Sequence, residues 1–137
     1  MSNRKVVEQA LQHFANPDSR QEYFDLYSDD IILHGYQGIE PGIENVKRFY
    51  GAFWSAFPDA SVTAEDIIEQ TDTLIVRYII VGTHRGAFMG VPATGRQIRL
   101  PGISILHFRN HRCFERWTAS DSLSLLVQIG GFPTRRD

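Results

Sequence analysis

The apolar residues of this chain change their period once, near Ala60, and that change limits the available folds more than any other feature. Upstream, apolar positions recur at intervals of three and four, the spacing of one helix face. Downstream they alternate in twos, as in a strand with one side on a core. Helices first and strands afterwards define an α+β chain, with an antiparallel sheet and its helices gathered on one face.

Val6, Val7, Ala10, Leu11 and Phe14 predict a first helix over about residues 3–15, stopped by Asn16-Pro17. A second short helix starts near Asp18 or Ser19, either of which can cap it, and turns Tyr23, Phe24 and Tyr27 inward until Ser28-Asp29-Asp30. Ile31 to His34 reads as a short strand, and the glycine-containing stretch from Gly35 to Gly42 reads as loop. A third helix carries Ile43, Val46, Phe49, Tyr50, Phe53, Trp54 and Phe57 on one broad face up to Pro58.

Strands follow at about residues 61–70, 74–84, 97–108 and 113–120, separated by Thr71-Asp72, by the glycine-rich run 86–95 and by Arg109-Asn110-His111. A last helix over about 121–130 shows Leu123, Leu125, Leu126 and Ile129 before Gly130-Gly131. With 137 residues and no internal repeat or low-complexity linker, residues 1–137 are expected to form one domain.

Fourteen basic and sixteen acidic residues are well mixed and leave a formal charge of −2. No broad field exists to hold a nucleic acid or an anionic membrane, so neither partner is expected. The single cysteine, Cys113, excludes an internal disulfide and a cysteine-based metal cluster, and a reducing cytoplasm is the natural setting. Arg4 and Lys5 lead into an amphipathic pattern with no unbroken apolar stretch, so neither a leader peptide nor a membrane span is expected. Aromatic content of 12% suits a bulky core or an aromatic-lined pocket.

Several positions downstream of the helices fall in one ordered frame. They are Gly82, Thr83, His84, Gly86, Phe88, Gly90, Pro92, Thr94 and Gly95, then Gly102, Ile103, Phe108, Glu115, Trp117 and Asp121. Phe57-Pro58-Asp59 after the aromatic helix belongs to the same frame. In these positions the chain resembles the SnoaL-like polyketide cyclases of the nuclear-transport-factor-2-like superfamily, from about Val6 to Gly130.

The resemblance implies a cone: a curved antiparallel sheet wrapped on N-terminal helices and closed by a C-terminal helix. It also implies a homo-oligomer, dimer or tetramer, working without metal or organic cofactor on a hydrophobic small molecule. Family members close a ring by intramolecular aldol condensation, and Asp121, four residues after Trp117, stands where they carry the acid/base carboxylate. Two positions depart from the family pattern: Asn110 to Cys113 replace Asp-Gly-Lys-Ile, and Arg116 stands where some relatives carry His.

Taking a proton from carbon beside a carbonyl needs a base, and the resulting enolate and alkoxide need donors. An apolar wall around Asp121, with Trp117, Ala119 and Leu123 nearby, would suit a carboxylate base; the other reading is an N-cap for the last helix. His107, on a face with Ile103 and Ile105, is a second candidate whose orientation depends on hairpin register. A two-residue turn sets it opposite Phe114 and away from Asp121, whereas a bulged three-residue loop brings both to one face.

His34 stands either at the mouth of a cavity, as a donor to a substrate carbonyl, or on the surface. His84 reads as a loop histidine bonded to backbone. Tyr36, Trp54, Phe88 and Trp117 are candidate pocket residues, each with core packing as the competing role, and residues 86–95 read as a flap or a long packed hairpin loop. No pair of histidines shows a metal-binding spacing. Two functions stand side by side: a cofactor-free cyclase, lyase or isomerase acting on an apolar carbonyl compound, and a module that binds such a compound unchanged.

Overall fold

A computed structural model describes residues 1–131. Helix α1 (Asn3–Phe14) is capped by Ser2, whose side chain accepts the Lys5 N–H. A 3₁₀ segment (Arg20–Leu26) leads into strand β1 (Tyr27–His34), and helix α2 (Ile43–Ala56) follows. Strands β2 (Ser61–Gln70), β3 (Thr73–Thr83), β4 (Gln97–Arg109) and β5 (Arg112–Ser120) then run to helix α3 (Ser122–Gln128).

The sheet order is β1-β5-β4-β3-β2, and the mixed α+β architecture is the expected one. Strands β2 to β5 pair antiparallel, but β1 joins β5 in parallel, so the sheet is not antiparallel throughout. β1 also begins at Tyr27, four residues before the strand expected from the sequence. Tyr27 already pairs with Cys113, and an irregularity before Ile32 lets polar Ser28 to Asp30 interrupt the apolar alternation without ending the strand.

Alternation assigns the two faces of the sheet. On β4, Ile98, Leu100, Gly102, Ser104, Leu106 and Phe108 are buried, and every residue between them except the half-buried His107 is exposed. The buried face meets Val7, Ala10 and Phe14 of α1 and Val46, Tyr50, Phe53 and Trp54 of α2. Phe14, Tyr23, Tyr50 and Trp54 pack largely edge to face at 5.0–6.1 Å, a geometry that adds roughly 0.5–1.5 kcal/mol per pair beyond area burial.

The opposite face of the sheet is uncovered by the helices. Ile32, Val81, Ile103, Ile105 and Trp117 are 37–49% exposed there. One register row crosses all five strands, running His34, Trp117, Ile105, Ile75, Ile68. No helix among the described residues is long and apolar enough to cross a membrane.

Candidate functional site

Between the helices and the concave face of the sheet lies a cavity of about 370 Å³. Val62, Ile80 and Leu100 form one row of its sheet wall, because they pair side by side across β2, β3 and β4 and share one phase of the alternation. Phe49, Tyr50 and Phe53 of α2 form the facing wall, and Gly35, Gln37, Met89, Ser120 and Ser122 ring the mouth. Phe88 closes one side, held at 6.0 Å from Phe53 and 5.2 Å from Phe57 by a tight turn in which Phe88 and Val91 exchange backbone hydrogen bonds.

The closed end of this apolar chamber is polar, because the inward phase of β5 places Arg116 and Thr118 there, with the fully buried Ser104 of β4 behind them. Arg116 is buried and donates from Nη1 to Tyr27 Oη at 2.6 Å and to Tyr23 Oη at 3.3 Å. Its Nε and Nη2 both donate to Ser104 Oγ, at 3.1 and 2.9 Å. Ser104 Oγ, accepting twice, has its own proton for Thr118 Oγ1 at 2.8 Å, and Thr118 donates onward to Tyr36 Oη at 3.1 Å. Tyr36 and Tyr50 hydroxyls meet at 3.3 Å, and Tyr23 and Tyr27 hydroxyls at 2.6 Å.

Burial raises the phenols of Tyr27 and Tyr50 well above their ordinary range and that of Tyr78 to about 12, so all three remain protonated near neutrality. Among the described residues lining the cavity there is no Asp, Glu or His. The guanidinium therefore faces neutral hydroxyls and no counter-charge.

Of the residues singled out from the sequence, Tyr36 and Phe88 line the cavity. Trp54 is buried in the aromatic core and does not reach it, with Arg20 lying 5.1 Å above its ring. Trp117, His107 and His34 lie on the uncovered face of the sheet, and the expectation that Trp117 faces the pocket is corrected. His34 stacks on Trp117 at 4.9 Å and its Nε2 meets Glu115 Oε2 at 2.8 Å. His107 packs edge-on against Trp117 at 5.0 Å.

The hairpin has the two-residue turn, with Asn110 and His111 at φ 54° and 60°. A bulge beside it sets His107 opposite Glu115 and leaves Phe114 as the extra residue. His84 is fully buried, and its Nδ1 accepts the Thr94 N–H at 3.3 Å while meeting Thr94 Oγ1 at 2.9 Å, the loop role read from the sequence.

Asp121 is exposed and accepts the Ser124 N–H at 3.1 Å, capping α3. It does not look into the chamber, contrary to the inward-facing carboxylate expected from the resemblance; it sits at the rim between Ser120 and Ser122, which do line it. Arg116, with its tyrosine partners, is the feature the site residues read from the sequence did not include. The inward phase shared with Thr118 and Ser120 on one strand would have marked it, had the bulge been foreseen.

A hollow α+β cone with an apolar interior and a polar inner end is the architecture of the nuclear-transport-factor-2-like class. Residues 5–129 match the family model of the SnoaL-like polyketide cyclases, and the chain belongs to that family. Among solved structures it is similar to IdmH of Streptomyces antibioticus, a candidate polyketide cyclase, at 27% identity and TM-score 0.78, covering 95% of this chain and 99% of that one. A candidate SnoaL-like polyketide cyclase from Jannaschia Sp. CCS1 aligns at 22% identity and TM-score 0.82, covering 96% and 93%. AclR of Streptomyces galilaeus, a candidate hydroxylase, aligns at 21% identity and TM-score 0.83, covering 98% and 84%. No curated protein matches the sequence.

Proposed function

We propose that this protein is a cofactor-free cyclase-type enzyme that encloses a hydrophobic carbonyl compound and closes a ring in it by aldol-type addition. The observation that carries this reading is the chamber of about 370 Å³, apolar along its walls and rich in hydrogen-bond donors at its closed end. In the step, a base removes a proton from carbon beside one carbonyl, the enolate carbon attacks a second carbonyl of the same molecule, and the new alkoxide takes a proton back. Asp121 is the candidate base: it sits at the rim between Ser120 and Ser122, which face the ligand space, and to act it must leave the Ser124 N–H and turn from the outer phase of β5 toward the mouth.

The absence of Asp, Glu and His from the described cavity lining favours the second reading, a module that binds such a compound without changing it. A flexible 1,5-diketone carrying an aryl group separates the two. Wild-type protein is expected to convert it to an isomeric cyclic ketol faster than buffer does, seen as a new chromatographic peak of unchanged mass. Binding with no conversion of any such diketone leaves only the module.

The chamber itself is tested by Ile80→Trp. An indole in the middle of the Val62, Ile80, Leu100 row fills part of the cavity, so the expected result is a loss of affinity for the diketone of about tenfold or more. Because the substitution fills existing space, the urea midpoint should change little. Unchanged affinity would place the binding site elsewhere.

The same proposal includes one folding unit over residues 1–137, a cytoplasmic location, and self-association through the uncovered sheet face. On that face Arg77 is paired with Asp66 at 2.7 Å and the Glu115 carboxylate is hydrogen-bonded to His34 at 2.8 Å, so the charges beside the apolar row are already engaged within the chain. Trp117→Glu puts a carboxylate into that row and is expected to convert the dimer to monomer in sedimentation experiments at micromolar concentration. A wild-type chain that sediments as monomer removes this part of the proposal.

A further inference from the structure

Among the described residues the guanidinium of Arg116 has no carboxylate partner, although it is buried at the end of an apolar chamber. Taking a charge out of water is costly unless an opposite charge or a full set of hydrogen bonds replaces the hydration. A guanidinium carries five N–H donors. Four bonds are accounted for, to Tyr23, Tyr27 and twice to Ser104, so one N–H is uncommitted. The hydroxyls around it add donors as well: Thr118 gives its proton to Tyr36, and each tyrosine pair, Tyr23 with Tyr27 and Tyr36 with Tyr50, uses one phenolic proton within the pair. The cluster thus holds a positive charge and three donor hydrogens with no assigned acceptor, one guanidinium N–H and one phenolic proton in each tyrosine pair.

An occupant of the chamber that carries an anionic oxygen supplies both the charge and the acceptor lone pairs. Arg116 and Ser120 lie in one phase of β5, four residues apart, so the closed end and the rim are separated by about 13 Å at ~3.3 Å per residue. The walls between these ends, Phe49 and Phe53 on one side and the Val62, Ile80, Leu100 row on the other, are apolar and suit an aromatic frame.

We propose that Arg116 anchors a carboxylate of the ligand at the closed end, so that the protein takes an elongated aromatic acid whose remote end reaches the rim beside Asp121. This assignment rests on the reading of the chamber as the ligand site, and it makes Arg116 a positioning and specificity residue that holds the far end of the molecule.

The test compares 2-naphthoate with its neutral counterpart 2-acetylnaphthalene by calorimetry, for the wild-type protein and for Arg116→Met. The wild type is expected to bind the carboxylate at least about tenfold more tightly, as a desolvated charge-assisted bond implies. In the wild type, the Nε–Hε resonance of Arg116 is expected to shift on titration with naphthoate and to move much less with the ketone. Arg116→Met should bind the two probes alike. Should the variant not fold, the wild-type preference and the Arg116 resonance still decide. Equal wild-type affinities would overturn the inference while leaving the chamber as the site; a preference that survives in Arg116→Met would move the anchor elsewhere. If neither probe binds, the reading of the chamber as a site for aromatic ligands falls, and this inference with it.

Discussion

Gly35→Ala should lower the stability of the protein by about 3 kcal/mol, because two independent penalties fall on one methyl group. Gly35 sits at φ 86°, where a residue with a Cβ is strained by roughly 1–2 kcal/mol. The added methyl would also overlap the Thr118 carbonyl oxygen, which is backbone of β5 and cannot rotate away. Relieving that overlap means parting the end of β1 from β5, an overpacking cost of about 1–3 kcal/mol. Gly38→Ala is the control: φ is 75° there, but nothing lies within 4 Å of the added Cβ, so only the strain of about 1 kcal/mol remains. Urea titration checks both, with the midpoint falling and the slope unchanged. Equal losses at the two positions would show that the close approach of β1 to β5 is not what requires glycine.

The consequence reaches the site. Gly35 lines the mouth of the chamber, and its close contact fixes Thr118, which relays between Ser104 and Tyr36 in the donor cluster. Gly35→Ala should therefore loosen ligand binding even in molecules that remain folded.

Much of the architecture could be read from the residues because it depends on periodicity over long windows. The aromatic face of α2 and the alternation of β4 each repeat enough times to withstand local irregularity. The N-terminal part of β1 could not be read, since Ser28 to Asp30 break the alternation and the partner that makes them a strand lies about eighty-five residues away in β5. The candidate site failed in a more specific way. Trp117, Ala119 and Asp121 share one parity, and the reading from sequence turned that parity inward. Arg116, Thr118 and Ser120 hold the inward parity instead.

A single residue of phase separates the two assignments on β5, while His107 keeps the outer phase that it shares with Ile103 and Ile105 on β4. The bulge between His107 and Phe108 is the local device at fault. It adds Phe114 between Cys113 and Glu115, so alternation counted from the buried Cys113 arrives at the rim one residue out of step. Turn chemistry at Asn110-His111 gave no sign of this, because the two-residue turn is regular and the irregularity lies three residues before it.

Asp121→Asn is expected to lower turnover of the cyclising diketone by about a hundredfold or more while leaving the melting temperature almost unchanged. The two halves of this expectation come from two different roles of one side chain. As a cap, Asp121 accepts the Ser124 N–H with one carboxylate oxygen, and Asn offers a carbonyl oxygen at the same place with similar helix-capping strength. As an acid/base group, only the carboxylate can take a proton from carbon, and loss of such a group removes roughly 10²–10⁴ in rate. Asp121→Ala completes the pair, since it should lose the same turnover and in addition about 1 kcal/mol of stability from the uncapped helix. The position of Asp121 at the rim makes the comparison demanding: the carboxylate must leave its cap to reach the ligand, so turnover competes with the start of α3. An Asp121→Asn protein as active as the wild type would reduce Asp121 to its capping role. Ring closure, if it occurred, would then rest on the donor cluster around Arg116 and on the confinement of the substrate.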